Sequence, residues 1–365
     1  MPNEKYKLPD YPCTHDMWDT LASESRPIVI YGMGNGADKL LCKFDEYGIK
    51  ATDIFASDGF VRGHSFHGYR VKSFSEIKES YSDFVIVLSF ASNKEDVISM
   101  IEDIDKSYDM YVPDMPIAGV DEFFDKNFYN RHFDEINRAY NLLADEESRC
   151  VFASVINYKL TGRLKYLSGT YSSSENLYSI FPRTEIVTAI DAGAYNGDTV
   201  REAKCYFPSL KKVYALEPDL RNFKKILKYS EAENEIEVIP INAAAWSVNS
   251  VGEFSGSGNR NSTIVATASY ENKKSEVELR RIDTLVTERV DYIKYDVEGA
   301  EFEALEGSSE LIKKYAPSLL VSVYHRSKDI FAIPNMLHRK YPFYKLYLRR
   351  LRCIPAWELD LVLVP

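Results

Sequence analysis

Apolar and polar positions along this chain repeat one pattern twice: a short β-branched run, a glycine-rich turn, then a segment suited to a helix. The first instance is PIVIYGMGNGADKLLCKF, starting at Pro27, and the second is IVTAIDAGAYNGDTVREAKCYF, starting at Ile186. Each reads as the opening β–α unit of a nucleotide-binding α/β sheet, where a strand buried on both faces is continuously apolar. The two are not close copies, so the pattern predicts separate domains and not a solenoid. Between them, Phe124, Phe128, Phe133, Ile136, Tyr140 and Leu143 recur at helical spacing. The stripe is read as core packing. The predicted organisation is a Rossmann-like domain over 1–119, a helical connector over 120–176 and a second α/β domain over 177–365.

The second domain carries most of the candidate chemistry. Its first predicted strand ends on Asp191, and the turn DAGAYNGD at 191–198 sets Gly193 and Gly197 where a backbone passes close to a ligand. Asp198 and Thr199 suit the first turn of a helix. A second strand closes on Glu217, about 20 residues past the turn, the separation at which a carboxylate accepts both ribose hydroxyls and repels a 2′-phosphate. Its bland alternative is a solvated strand end beside a helix cap. A third strand ends near Asn242, placed to edge an adenine. A fourth ends on Asp296 and Glu298, and a fifth on His325. Ligands of open α/β sheets bind beyond the C-terminal strand ends, so Asp191, Glu217, Asn242, Asp296 and His325 are expected to converge. Two further apolar runs, at 344–351 and 357–365, have no helix between them and read as a hairpin that closes the sheet with an antiparallel strand.

Composition narrows the class. The chain has 365 residues, 45% hydrophobic and 27% charged, which fits globular domains and excludes wholesale disorder. A net charge of −10 and a pI near 5.3 argue against a nucleic-acid-binding face. A local basic patch at Arg349, Arg350 and Arg352 is read as a solvated or substrate-facing edge. Cys13, Cys42, Cys150, Cys205 and Cys353 lack zinc-ligand spacing and read as free thiols of a reducing compartment, so no metal site is assigned. The N-terminus lacks the charged-then-apolar pattern of a signal peptide. No apolar run approaches the ~20 residues of a membrane span. The chain reads as soluble and cytoplasmic.

An antiparallel closing strand is typical of class I methyltransferases and not of ordinary dinucleotide folds. The C-terminal half resembles the FkbM family of methyltransferases on DAGAYNGDT at 191–199, VYALEPD at 213–219, NAAAW at 242–246, RIDTL at 281–285, YIKYDVEGAE at 292–301 with LEG at 305–307, and SVYHR at 322–326. The segment ENLYSIF at 175–181 is similar to the lead-in of longer members. The resemblance implies S-adenosylmethionine as cofactor and a hydroxyl oxygen of a sugar, glycan or natural product as acceptor. By similarity, Asp191, Gly193, Gly197 and Glu217 hold the donor, while Asp296, Glu298 and His325 lie near the transferred methyl. Many members carry an acid shortly before the position of His325, where this chain has Ser322, Val323 and Tyr324.

An alcohol becomes a nucleophile only when its proton has somewhere to go. His325 is the first candidate base, since an unperturbed imidazole titrates near 6.5; it reads equally as a histidine that only hydrogen-bonds the loop or substrate. Asp296 and Glu298 are alternatively ligands of a divalent cation. Tyr195 is read as packing or as a cation–π partner of a sulfonium.

In the N-terminal domain, Gly32, Gly34 and Gly36 are candidates to cradle a phosphate at a helix N-terminus, with Asp58 on a ribose. Two readings stand: a nucleotide or nucleotide-sugar site, or a degenerate domain for assembly or substrate docking. His64 and His67 are read as loop residues. Whole-chain alternatives are a nucleotide- or NAD-dependent sugar-modifying enzyme, which lacks a convincing Tyr-x-x-x-Lys, and a non-catalytic donor-binding scaffold.

Overall fold

The computed structural model describes residues 7–61, 63, 65–117, 122–255, 263–265 and 274–365. The boundary expected near Gly119 and the predicted loop residue His64 lie outside the described residues. The N-terminal part runs α1 (Met17–Ala22), β1 (Ile28–Tyr31), α2 (Asn35–Tyr47), β2 (Asp53–Ala56), β3 (Ser65–Phe66), β4 (Tyr69–Ser73), α3 (Phe74–Ser80), β5 (Val85–Leu88), α4 (Glu95–Ser107) and β6 (Asp109–Tyr111). Its sheet has the order β3-β4-β2-β1-β5-β6 and is parallel except for the β3–β4 hairpin. Strands β1 and β5 are buried at every position, which is why IVIY and VIVL carry no polar alternation.

Helices α5 (Lys126–Leu142), α6 (Glu146–Thr161) and α7 (Ser174–Ser179) follow. The expected helices are present, but they do not behave as a connector. Helix α6 is buried from Val151 to Leu160 without a solvent face, because CVFASVINY is apolar nearly all round. One continuous core includes Val29 and Ile86 of the first sheet, Phe128 and Phe152 of the helices, and Ile293 and Leu361 of the second sheet. These helices are shared interior.

The second part runs β7 (Thr188–Ala192), α8 (Asp198–Tyr206), β8 (Lys212–Leu216), α9 (Leu220–Ala232), β9 (Glu237–Ile241), β10 (Ala244–Ala245), β11 (Ser250–Ser255), β12 (Thr263–Val265), β13 (Lys274–Arg280), α10 (Ile282–Leu285), β14 (Tyr292–Tyr295), α11 (Glu301–Glu306), α12 (Ser309–Tyr315), β15 (Ser318–Ser322), α13 (Asp329–Lys340), β16 (Lys345–Arg350) and β17 (Leu359–Val364). The main sheet has the order β16-β17-β15-β14-β7-β8-β9. Strand β17 is antiparallel to both neighbours, and the described ladders from β15 to β9 are parallel. The chain leaves β7 toward β8 and returns to its other side as β14, so the topological switch opens beyond the C-terminal ends of β7, β8 and β14. A small sheet of order β10-β13-β11-β12, inserted before β14, was not anticipated.

The basic patch read as a solvated or substrate-facing edge is corrected at Arg349 and Arg350. Arg349 and Arg350 are 4% and 2% exposed. Arg349 is paired with Asp145 at 2.7 Å and Glu147 at 3.3 Å, holding β16 to the start of α6. Arg350 donates to the carbonyls of Leu167 and Cys353. A buried cation is tolerated only with such partners, and sequence position alone does not reveal them.

Candidate active site

A cleft of about 570 Å³ opens at the switch point. Its floor is built by the end of β7. Asp191 is buried, with Oδ2 accepting from the Thr199 hydroxyl and Oδ1 lying 3.7 Å from Lys294 Nζ. Burial raises the Asp191 carboxyl, and Lys294 opposes the rise. Asp191 therefore sits under the turn, outside the lining of the cleft. Gly193 lines it, with φ of 91°. A Cβ at Gly193 would lie 1.8 Å from the Asp296 carbonyl oxygen, so close packing of the β7 and β14 turns demands glycine here independently of any ligand. Gly197, with φ of 81°, caps α8 away from the lining.

Glu217 closes β8 and faces this turn. The Tyr195 amide donates to Oε2 at 2.9 Å and the Asp219 amide to Oε1 at 2.8 Å. Burial pushes the carboxyl up to about 7 against these two bonds. Each oxygen keeps a second lone pair, so the side chain has acceptor capacity left for a diol. Tyr195 lines the cleft, and Lys225 Nζ stands 5.3 Å from its ring centroid. The Asn242 side chain does not line the cleft as expected. It donates to the carbonyls of Glu217 at 2.8 Å and Pro218 at 3.2 Å, fixing the turn after β8, while Ala243, Ala244 and Ala245 form the wall.

Beyond β14 the chain takes positive φ at Glu298 (53°) and Gly299 (94°), which turns Asp296 and Glu298 into the cleft. His325 lies behind them and is fully buried. It is three residues past the end of β15, which stops at Ser322 and not at His325 as expected. Nε2 is 3.5 Å from both Asp296 Oδ1 and Glu298 Oε2, and Nδ1 is 2.9 Å from Glu301 Oε1. Burial alone would lower the imidazole; Glu301, Glu298 and Asp296 together raise it to about 10. This environment corrects the expectation of a neutral base. Three surrounding carboxylates favour the imidazolium at neutral pH, which opposes a role as proton acceptor.

Residues that sequence reasoning missed complete the cluster. Lys294, buried within β14, is 3.2 Å from Asp296 Oδ2. Burial works against its charge, but Asp296 and Asp191 hold it above the usual lysine value. Burial likewise works against Asp296, which Lys294 and His325 keep below the usual carboxylate range. Glu301 accepts from the amides of Val297 and Gly299 at 3.1 and 3.3 Å, which fixes the positive-φ turn. Asp360 sits opposite Ser322 in the β15–β17 ladder and accepts its hydroxyl at 3.3 Å. A charged residue alone in an apolar strand, as in YIKY and LDLVLV, was the available signal. Among the described residues, no three His, Cys, Asp or Glu side chains are grouped to hold a metal ion.

The N-terminal glycine turn is different. A Cβ at Gly32 would meet Ser89 Oγ at 2.7 Å and Phe90 at 2.8 Å, and one at Gly36 would meet the Ser89 carbonyl at 1.9 Å. The glycines admit the end of β5, and the space beside them is about 70 Å³. That is well short of the roughly 300 Å³ at which ligand pockets begin. Asp58 accepts from the Phe74 amide at 3.2 Å, and His67 pairs with Asp38 at 2.7 Å.

Residues 191–345 match the family model described as methyltransferase FkbM domain. Among solved structures, the crystal structure of methyltransferase FkbM from Methylobacillus flagellatus KT aligns over 100% of this chain and 96% of its own, with a TM-score of 0.70 and 18% identity. The same fold therefore extends over the whole chain. An rRNA methylase from Streptococcus thermophilus aligns over 52% of this chain and 92% of its own, at 15% identity and a TM-score of 0.32. A SAM dependent methyltransferase from Aquifex aeolicus aligns over 52% and 86%, at 12% identity and a TM-score of 0.30. No curated protein matches the chain. No described helix is long and apolar enough to cross a membrane.

Proposed function

We propose that residues 191–345, which match the methyltransferase FkbM domain model, form an S-adenosylmethionine-dependent methyltransferase domain, and that the chain methylates a hydroxyl oxygen of a sugar, glycan or natural product. The observation that carries the reading is the open cleft between Glu217 and the glycine turn at Gly193. A carboxylate with spare lone pairs faces backbone across a space of about 570 Å³, within the range of small-molecule sites. S-adenosylmethionine supplies a methyl group already activated on a sulfonium.

The protein's share of the chemistry is positioning and proton removal. Glu217 orients the ribose end, and Tyr195 with the wall at Ala243–Ala245 borders the adenine. Asp191 and Lys294 support the turn from below. Glu298, in the cleft, takes the hydroxyl proton. His325 acts from behind as a fixed positive charge that orients Asp296 and Glu298. Among the described residues, seven Asp and Glu side chains line the cleft against Lys294 and Arg352, a balance that favours a cationic donor. A nucleotide-dependent reaction at the N-terminal turn has no comparable support, because that space is about 70 Å³. A reducing, cytoplasmic setting belongs to the same reading, supported by five free cysteines.

Calorimetry of the purified chain with S-adenosylhomocysteine and with NAD tests the donor assignment. Binding of the former and not the latter is expected. Preference for NAD would overturn it. Mass spectrometry of glycans from cells with and without the protein then identifies the missing methyl.

A further inference from the structure

Asp360 is a buried acid on β17, and the register of the sheet ties it to the cleft. It faces Ser322 across the β15–β17 ladder, while Tyr295, the residue before Asp296, pairs with Val321, the residue before Ser322. Asp360, Ser322 and Asp296 therefore stand in one row across the strand ends, from the interior to the cleft border. The Ser322 hydroxyl lies 3.3 Å from Asp360 Oδ1 and also reaches the Asp296 carboxylate.

The cations around Asp360 are engaged elsewhere. Lys294 pairs with Asp296 at 3.2 Å and with Asp191 at 3.7 Å. Arg349 stands opposite Asp360 in the β16–β17 ladder, but its guanidinium turns to Asp145 and Glu147. Among the described residues Asp360 is thus left without an ion pair. Its other titratable neighbours are Asp296, Glu358 and the phenols of Tyr178, Tyr292 and Tyr324. A hydroxyl has one proton to give. Between two carboxylates, Ser322 satisfies one and turns bare oxygen toward the other. With a proton on Asp360 both bonds form: the Asp360 carboxyl donates to Ser322 Oγ, and Ser322 donates to Asp296. Burial acts in the same direction, raising the Asp360 carboxyl to about 8 with help from Glu358 and Asp296 and against the pull of Lys294.

Resting on the methyltransferase reading above, we propose that Asp360 is a positioning residue, a neutral carboxylic acid that acts through Ser322 to direct a proton onto Asp296 and fix that carboxylate at the border of the cleft. Lys294, His325 and Ser322 then hold Asp296 together. Asp296 stays ionised and still, beside the Glu298 that takes the acceptor's proton.

The test uses the full chain with carbon-13-labelled aspartate carboxyls, followed by NMR from about pH 6 to about pH 10, with Asp296→Asn assigning the Asp296 signal. One carboxyl, absent in Asp360→Asn, is expected to titrate near 8. The Asp296 signal should shift in the same step, as the Ser322 proton swings toward the newly ionised Asp360. Asp360→Asn keeps a donor to Ser322, so the Asp296 signal should lose that step, and Ser322→Ala should uncouple the two carboxyls. Affinity for S-adenosylmethionine by calorimetry should fall about fivefold further in Asp360→Ala than in Asp360→Asn, the contribution of roughly one hydrogen bond. An Asp360 carboxyl already ionised at the acid end, an Asp296 signal that ignores its titration, or equal affinity of the Asn and Ala variants overturns the proposal. A wild type that shows the coupled titration but does not bind S-adenosylmethionine sinks the donor reading instead, so the two failures are told apart.

Discussion

Asp296 Oδ1 and His325 Nε2 stand 3.5 Å apart, but Asp296 borders the cleft while His325 is sealed behind it. The pair is a carboxylate facing substrate and a buried cation that stabilises it. Removing the cation takes a shared positive charge from Asp296, Glu298 and Glu301 at once, with Lys294 remaining beside Asp296, which is more damaging than the loss of one contact.

The first prediction concerns pH. An unfolded histidine titrates near 6.5, and the folded His325 is raised to about 10. Its stabilising contribution is complete below pH 6.5 and is lost as pH rises through 10. Asp329 and Asp360, raised to about 8 chiefly by burial, also favour the protonated fold, so stability falls as pH climbs from their unfolded values through 8. Thermal melts between pH 6.5 and 10 should show a steady decline. His325→Gln should melt lower by roughly 5 °C or more at pH 6.5 and show a flatter slope.

Proton removal gives the second. Glu298→Gln keeps the size of the side chain and abolishes its basicity, so turnover should fall by about 10²-fold. Donor affinity by calorimetry should hold within about threefold, since Glu217 is untouched. Turnover near wild type would move the base to Asp296.

The third is donor binding. Glu217→Ala deletes the acceptor for a diol and frees the Tyr195 and Asp219 amides. Hydrogen bonds to charged groups contribute about 1.5–3 kcal/mol, so calorimetry should show S-adenosylhomocysteine binding weaker by roughly 10- to 100-fold.

Strand ends at Asp191, Glu217 and Asp296 were legible because buried parallel strands announce themselves as apolar runs, and the antiparallel hairpin at the C-terminus was legible from the missing helix between two such runs. Three things were not. Asn242 and His325 occupy the expected sheet edge, but which way a side chain turns depends on tertiary partners such as the Pro218 carbonyl and Glu301. The glycines at Gly32 and Gly36 look like a phosphate cradle because glycine marks any close backbone approach, and sequence does not say whether ligand or chain approaches. The row from Asp296 through Ser322 to Asp360 rests on pairing between strands that no local pattern encodes.

The same ambiguity of glycine supplies the fourth prediction. Gly193→Ala places a methyl 1.8 Å from the Asp296 carbonyl, whereas a Cβ at Gly197 meets the Tyr229 ring edge at 3.1 Å, an atom at the end of a side chain. Both positions have positive φ, so both variants pay a strain of order 1–2 kcal/mol. Gly193→Ala must additionally separate β7 from β14. Its melting temperature should drop by several degrees more than that of Gly197→Ala, and its donor affinity should fall as Glu217 and the turn move apart.

The last prediction uses charge. The sulfonium gives S-adenosylmethionine one positive charge more than its demethylated product, and among the described residues the cleft presents seven carboxyl side chains against two basic ones. Attraction between unlike charges in a partly enclosed, low-dielectric cleft favours the donor over the product. Added salt weakens it, because the screening length falls from about 30 Å at 0.01 M to about 3 Å at 1 M. Calorimetry should therefore show tighter binding of donor than product at low salt, with the ratio shrinking toward one as salt rises. Such a ratio means that loss of the charge during transfer itself loosens the product, so turnover releases what it makes without a separate opening step. A ratio that favours the product, or one indifferent to salt, would show that the carboxylates are neutralised among themselves and play no part in the exchange.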